Sequence, residues 1–449
     1  MSSTMRQRPT IFVDCTRTER TKFNTGVERV VRNIISCPEE IYSELGYRKI
    51  SVGLVVGRFR EVATQQVALS AGTRLARRRK KVVRRARQLK GKLQNAIEYV
   101  LSTGQLFAEH LGGKGIFQSY LNRISNSAAE FQVYGVAGDH LKGSILILAD
   151  THWSSELRAA VLHLKDQGCK VVCIVYDLIP LTHPETTAGH TEEFEKWFRE
   201  STRYADGYIC ISKFVANEVC EYLKKDGTSE AFFSSNVRSF YLGSDFQQRQ
   251  SFGSASTQVV SIFSSANNVF LMVGSIEPRK SHEYVLNAFE SLWAAEINVS
   301  LVFVGRNTWK SDALLERISS HQRLNQNLFL LRDATDVDLD FCYNHSSALI
   351  IASTVEGFGL PIVEAFQAGL PVIASDIPVF REIAKDNATY FLLDNTESLA
   401  GVVKNFCKSA PSRHRIPWID WNESVASLIR EAQHIGNNAN ILQRKSGSN

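Results

Sequence analysis

The sequence predicts an α/β fold made of two domains, each a doubly wound, Rossmann-like sheet. Two domains follow from length, because 449 residues exceed what one hydrophobic core usually organises. The α/β class follows from short apolar segments rich in Val, Ile and Leu that alternate with segments of helical periodicity in both halves. Repeated β-α-β implies parallel strands joined by right-handed crossovers, with ligands gathered at the carboxyl ends of the strands.

In the N-terminal half, Thr10 to Val13 suits a first strand and Gly26 to Ile35 a helix. Ser144 to Ala149 and Lys170 to Val175 suit further strands, and Thr191 to Tyr204 suits a helix. Gly207 to Ile211 reads as a strand, followed by a helix from Ser212 to Leu223. A link rich in Ser, Gln and Gly runs from about Leu242 to Val260. The C-terminal half is more regular. Phe270 to Gly274 is an apolar run ending in glycine, which suits a buried strand. Ser281 then stands where a helix cap belongs, and Val285, Phe289, Leu292 and Trp293 trace one helical face. Strands at Ser300–Gly305, Asn327–Leu331, Ala348–Ser353 and Pro371–Ser375 alternate with helices at Asp336–Ser346, Pro361–Gln367 and Val379–Ala384. The expected division is an N-terminal domain over 1–250 with a basic insertion at 56–143, a C-terminal domain over 251–430, and a polar tail over 431–449.

Composition excludes several classes. With 44% hydrophobic and 22% charged residues, the chain is neither disordered nor a small disulfide scaffold. No apolar run approaches the roughly 18 residues that a membrane-spanning helix needs, and the polar, basic start lacks the apolar core of a secretory signal. The expected location is therefore the cytoplasm. The eight scattered cysteines contain no Cys-x-x-Cys pair, so free thiols and no zinc site are expected. Arg74 to Lys92 carries eleven Lys or Arg and no acid. Its apolar stripe of Leu75, Val82, Val83 and Leu89 suits a basic helix on an acidic membrane surface; a solvated face, a protein contact and nucleic acid are the other readings. Asp336, Asp338 and Asp340 imitate an Asp-x-Asp metal motif, but acids at a helix start simply suit its dipole.

The chemistry concentrates in Ser353-Thr-Val-Glu356-Gly-Phe-Gly-Leu-Pro361-Ile-Val-Glu364, between a predicted strand and a predicted helix. Gly357 and Gly359 let backbone approach a ligand closely, and Pro361 suits a first helical turn. The helix N-terminus offers free N–H groups and partial positive charge, which favour phosphate. Glu364, about a turn further, can accept hydrogen bonds from a ribose diol, and Glu356 can face a sugar. Arg279 and Lys280 stand before another predicted helix, where cations oppose the dipole and the position asks for an anion.

This segment resembles the Glu-x7-Glu signature of the retaining glycosyltransferase family 4, whose members have the GT-B fold with two Rossmann-like domains facing each other across a central cleft. Gly274-Ser-Ile-Glu-Pro-Arg279-Lys280 looks like the family's phosphate loop, and Tyr176-Asp177-Leu-Ile-Pro180 like its N-domain cleft motif. Thr25-Gly26-Val-Glu-Arg29, Ile211-Ser212-Lys213 and Tyr241-Leu-Gly243-Ser-Asp245 also have counterparts, in the family's order. The pattern is especially similar to bacterial mannosyl- and rhamnosyltransferases that build O-antigen or capsule. The resemblance implies that Arg279 and Lys280 clamp the donor diphosphate and that Glu364 holds the ribose. It implies that Glu356 orients the donor sugar, while Gly357, Phe358, Gly359, Leu360, Ser275 and Gly26 line the donor. Tyr176, Asp177, Asp150 and His152 are candidate acceptor or sugar contacts. Two positions depart from the pattern: Tyr176 stands where many relatives have His, and Ser275 where some have Arg.

The implied partners are a nucleotide sugar, with GDP-mannose or a GDP-deoxysugar expected, and a glycan or polyprenyl-diphosphate-linked acceptor. Other polysaccharide assembly proteins are further candidate partners, and no metal or other cofactor is expected. The alternative is a non-catalytic subunit of the same fold that binds nucleotide or glycan and scaffolds an assembly complex.

Overall fold

The computed structural model describes residues 8–21, 26–55, 58–64, 133–134, 141–151, 155–187, 189, 191–246, 254–265 and 268–446. The basic stretch 74–92, most of the 56–143 insertion, and His152 lie outside the described residues.

The first sheet contains β1 (Thr10–Asp14), β2 (Arg48–Val55), β3 (Arg58–Glu61), β4 (Val133–Tyr134), β5 (Ile145–Leu148), β6 (Lys170–Val175), β7 (Gly207–Cys210) and β8 (Val237–Ser239). Its order is β4-β3-β2-β1-β5-β6-β7-β8. The strands from β2 to β8 in that order are parallel, whereas β3 and β4 add an antiparallel edge. The second sheet contains β9 (Val269–Val273), β10 (Ser300–Val304), β11 (Leu328–Leu331), β12 (Ala348–Ile351), β13 (Val372–Ser375) and β14 (Ala388–Phe391). It is parallel throughout, in the order β11-β10-β9-β12-β13-β14. Runs such as Ser-Leu-Val-Phe-Val in β10 are buried along their whole length, as strands covered by helices on both faces must be.

Helices α1 (Gly26–Ser36), α2 (Lys213–Lys225), α3 (His282–Ala294), α4 (Asp336–His345), α5 (Leu360–Ala368), α6 (Pro378–Ala384) and α7 (Trp421–Ser446) position the site and join the two sheets. Strand order reverses between β1 and β5 in the first sheet and between β9 and β12 in the second. At such a switch point successive loops diverge and leave a crevice at the carboxyl edge. In the second sheet the diverging loops are 274–281 and 352–359, which carry Arg279, Lys280 and Glu356.

Two local expectations give way. Ser281 does not cap α3 through its side chain, because its backbone is left-handed, with φ of 55°. By contrast Ser212 caps α2, accepting from Val215 N at 3.1 Å. The expected polar tail from residue 431 is instead the second half of α7. Val425, Leu428, Ile429, Ala432 and Ile435 are fully buried at helical spacing, and α7 packs on β5 to β8. The polar residues Gln433, His434, Asn437 and Asn438 outnumber the apolar ones beyond 430, so composition hides a stripe that periodicity carries. The chain therefore crosses between the sheets twice, the second time before Trp421. The eight cysteines are free thiols, six of them buried.

Ile435 is 0% exposed, so trimming it leaves a cavity against the first sheet. We expect Ile435→Ala to destabilise the protein by about 2–5 kcal/mol in urea unfolding. A change under about 0.5 kcal/mol would show that α7 does not stabilise that sheet.

Candidate functional site

The two loops at the second switch point are stitched by one carboxylate. Glu356 Oε1 accepts from Arg279 Nη1 at 2.9 Å, from Ser353 Oγ at 3.0 Å and from Lys280 Nζ. Arg279 also holds Glu277 through Nη2 at 2.7 Å, and Ser275 Oγ donates to the same Glu277 oxygen at 3.0 Å. Backbone reinforces the seam, since Thr354 N donates to Arg279 O at 2.8 Å. The Pro278–Lys280 turn makes this possible: proline fixes the entry, and the left-handed Ser281 redirects the chain into α3.

Burial by itself pushes the Glu356 carboxyl up, but Arg279 and Lys280 outweigh it and hold the group at about 2. It is therefore an anion across the physiological range. Burial lowers the Lys280 ammonium, with Glu356 opposing that trend. His282, just behind, is lowered to about 3 by burial and then by Lys280, so its ring is neutral. The loop thus presents two cations, with 21% and 13% of their side chains exposed, at the carboxyl edge of a parallel sheet.

Gly359 enters α5 with φ of 104°, a conformation that favours glycine, and Leu360 and Pro361 form the first turn. Glu364 lies in that helix and is 2% exposed. Its Oε1 accepts from Arg29 Nη1 at 2.6 Å and its Oε2 from Tyr343 OH at 2.7 Å. Arg29 reaches it from α1, across from the first sheet, and its Nη2 lies 3.7 Å from Asp245. Gly26 opens α1, and a side chain there would meet nothing within 4 Å, so packing does not demand the glycine.

The N-terminal wall touches this site directly. A Cβ on Gly357 would sit 2.0 Å from Tyr176 O, so only glycine allows the two loops to approach so closely. Ser212 Oγ donates to Gly357 O at 2.8 Å. Beside it, Glu382 of α6 accepts from Lys213 N and Phe214 N, both at 2.7 Å, and so tops the N-terminus of α2 from the opposite domain. The Tyr176 hydroxyl donates to Ala149 O at 2.7 Å. Asp177 accepts from Ile179 N at 3.1 Å, and burial raises its carboxyl against the pull of Arg279.

The structure thus brings together Arg279, Lys280, Ser275, Glu356 and Gly357, with Tyr176 and Asp177 opposite. Glu364 lies in α5 beyond the Gly359–Leu360 turn, facing α1. The Phe358 ring is buried and packs between Tyr241 and Trp418, with centroids at 6.2 and 6.1 Å. Asp150 holds the loop after β1, its oxygens accepting from Arg17 N at 2.8 Å, Thr18 N at 2.6 Å and Thr151 N at 2.8 Å. Asp338 forms a capping box with Thr335 at the start of α4. Sequence reasoning singled out no role for Arg29, Tyr343, Ser353 or Glu382. Arg29 stands one turn after Gly26 in a segment already marked by its family counterpart, and that was the available signal.

Comparison with known proteins points the same way. Residues 257–417 match the family model for glycosyl transferases group 1. Over 303 residues the chain is 35% identical to the serotype-specific mannosyltransferase WbdA of Escherichia coli, covering 64% of this chain and 37% of that protein. It therefore spans less than two fifths of the length of the WbdA relatives it matches. It is 25% identical over 284 residues to the O-antigen chain mannosyltransferase RfbU of Salmonella typhimurium, covering 58% and 74%. Among solved structures, sucrose-phosphate synthase from Thermosynechococcus elongatus superposes with a TM-score of 0.54 at 15% identity, covering 98% of this chain and all of that one. The Anabaena protein HepE in complex with UDP and glucose gives 0.53 at 14% identity, covering 98% and 100%. The fold is GT-B, and the resemblance to O-antigen mannosyltransferases read from the sequence holds.

Because Glu356 has a lowered carboxyl pKa, it adds stability above the unfolded value of 4.5 that is lost as pH falls through about 2. The full effect is about 3 kcal/mol. We expect urea unfolding of the Glu356→Gln variant to depend less steeply on pH between about 4.5 and about 2 than that of the unsubstituted protein. Parallel pH profiles would show that the cluster does not hold Glu356 as a paired anion.

Proposed function

We propose that this chain, which carries the group 1 glycosyltransferase match over residues 257–417, is a retaining, metal-independent hexosyltransferase. It moves mannose, or a deoxyhexose such as rhamnose, from a GDP-linked donor to a growing lipid-linked surface polysaccharide. The observation that carries the reading is the Glu356 carboxylate shared by Arg279 and Lys280 at the switch point of the second sheet. A nucleotide sugar needs fixed cations for a diphosphate that gains charge as it leaves, and a fixed anion near the sugar carbon that becomes positive. Both are preorganised here within one hydrogen-bonded cluster, so little reorganisation is needed during reaction.

The roles follow from position. Arg279 and Lys280 hold the diphosphate beside the N-terminus of α5, whose free N–H groups add to the attraction. Glu356 orients the donor sugar, and Glu364 takes the ribose. The bond between the anomeric carbon and the diphosphate oxygen breaks, and an acceptor hydroxyl bonds to that carbon on the same face. The hydroxyl's proton passes to the leaving phosphate, so no protein base is required. Tyr176 and Asp177 form the acceptor side of the cleft. The mannose donor rests on the relatives that are mannosyltransferases, WbdA and RfbU. Among the described residues no helix is long and apolar enough to cross a membrane. For action on a lipid-linked acceptor, the eleven Lys or Arg of the 74–92 sequence are the proposed contact with an acidic membrane.

The test is nucleotide release from GDP-mannose, GDP-rhamnose, UDP-glucose, UDP-N-acetylglucosamine and dTDP-rhamnose, with and without membrane lipid extract. We expect release from one donor, lowered about 10²–10³-fold by Lys280→Ala and at least as much by Glu356→Ala. Nucleotide binding without turnover of any donor, unaffected by either substitution, would favour the scaffold subunit.

A further inference from the structure

If Glu364 is to bind ribose, a ligand hydroxyl has to reach its carboxylate. At 2% exposure, with Oε1 held by Arg29 at 2.6 Å and Oε2 by Tyr343 at 2.7 Å, it is closed to any newcomer. For a ribose hydroxyl to take either oxygen, the partner on that oxygen has to move. Tyr343 is fixed: it is fully buried and packs edge-on against Phe246 with ring centroids 5.2 Å apart. Its helix is clamped as well, because Arg413 donates to Tyr343 O at 2.9 Å and to Ser346 O at 2.5 Å at the end of α4. Arg29 is different. It belongs to α1 on the first sheet, keeps 16% of its side chain exposed, and has a second carboxylate, Asp245, 3.7 Å from Nη2 and itself 38% exposed.

We infer that Arg29 is a positioning residue that occupies Glu364 until a nucleoside diphosphate arrives, and then yields Oε1 to the ribose and shifts toward Asp245. The inference rests on the proposed function, since it needs Glu364 to be the ribose site. The arrangement gives the buried carboxylate a cationic partner in the empty protein, where losing the charged partner of a buried pair is strongly destabilising. It also ties donor binding to domain position, because the side chain displaced from the C-terminal domain belongs to the N-terminal one. Occupation by Arg29 reduces the apparent nucleotide affinity to the fraction of molecules in which Glu364 is unblocked.

A residue with a merely structural role, or one that touches the nucleotide, loses affinity when removed; a displaceable occupant gains it. The experiment is calorimetric titration of the full chain, Arg29→Met and Arg29→Lys with GDP, UDP and inorganic pyrophosphate, the last being a probe without ribose. We expect Arg29→Met to bind GDP or UDP about 3- to 10-fold more tightly, with pyrophosphate unchanged. Arg29→Lys, which keeps the cation and guards against a folding defect, should gain less. Unchanged or weaker nucleotide binding in both variants would overturn the inference while leaving the proposed function standing. An equal gain for pyrophosphate would overturn it too, because the ribose would not be what competes. No nucleotide binding by the unsubstituted protein would overturn the proposed function and this inference together.

Discussion

A buried carboxylate cannot stand alone, and the geometry of this site follows from how Glu356 is satisfied. Removing an anion from water costs several kcal/mol unless charge and hydrogen bonds replace the lost hydration. Three donors on one oxygen do so here, and they come from both loops at the switch point: Arg279 and Lys280 from the loop after β9, Ser353 from the loop after β12. Strand order makes the two loops diverge, and the Glu356 cluster draws them together again. The cluster is therefore assembled by the fold itself, which is what the proposed electrostatic role requires.

The same economy appears where the domains meet. Near the hinge, Gln367 accepts from Ser244 Oγ at 2.7 Å and Phe246 N at 3.0 Å and donates to Ser244 O at 3.0 Å. Trp418 Nε1 donates to Leu242 O at 2.8 Å, so the two chain crossings are pinned to each other. Away from these pins, Ser212 donates to Gly357 O, Glu382 accepts from the first amides of α2, and Arg29 pairs with Glu364. Opening the cleft would break these while sparing the pins. Bonds that hold the hinge beside others that can exchange are the division of labour that cleft motion needs.

Much of this was legible in the sequence, for definite reasons. Strands such as β6 and β10 are apolar runs after a single polar first residue, and α3 carries a clean apolar face, so local pattern and tertiary role agree. Glu356, Arg279 and Lys280 announced themselves because they sit in predicted strand-to-helix loops, and Glu364 because it lies about a turn into the helix that follows one. What stayed hidden depends on contacts between residues far apart in the chain. Arg29 and Glu364 are 335 residues apart, and Glu382 meets Lys213 over 169. Nor could Gly357 be assigned its closest neighbour, Tyr176 O, because the glycine signal says only that something approaches. The part of α7 beyond residue 430 was obscured by composition, while Ala432 and Ile435 continue the buried stripe of Val425, Leu428 and Ile429 at helical spacing.

The charge arrangement also separates a binding site from an ordinary ion pair. Cations just before a helix N-terminus oppose its dipole and cost roughly 0.3–1 kcal/mol each at the surface. Arg279 and Lys280 both stand there, immediately before α3, and burial already works against the Lys280 ammonium. A pair selected only for stability would sit at the other end of the helix, where the dipole favours it. The fold instead keeps two partly exposed cations at this end, with Glu356 and Glu277 holding the Arg279 charge while burial still works against Lys280. An anion at that edge removes the penalty. Under the proposed function, a diphosphate spanning the turn and the start of α5 would relieve it more fully than a single carboxylate could.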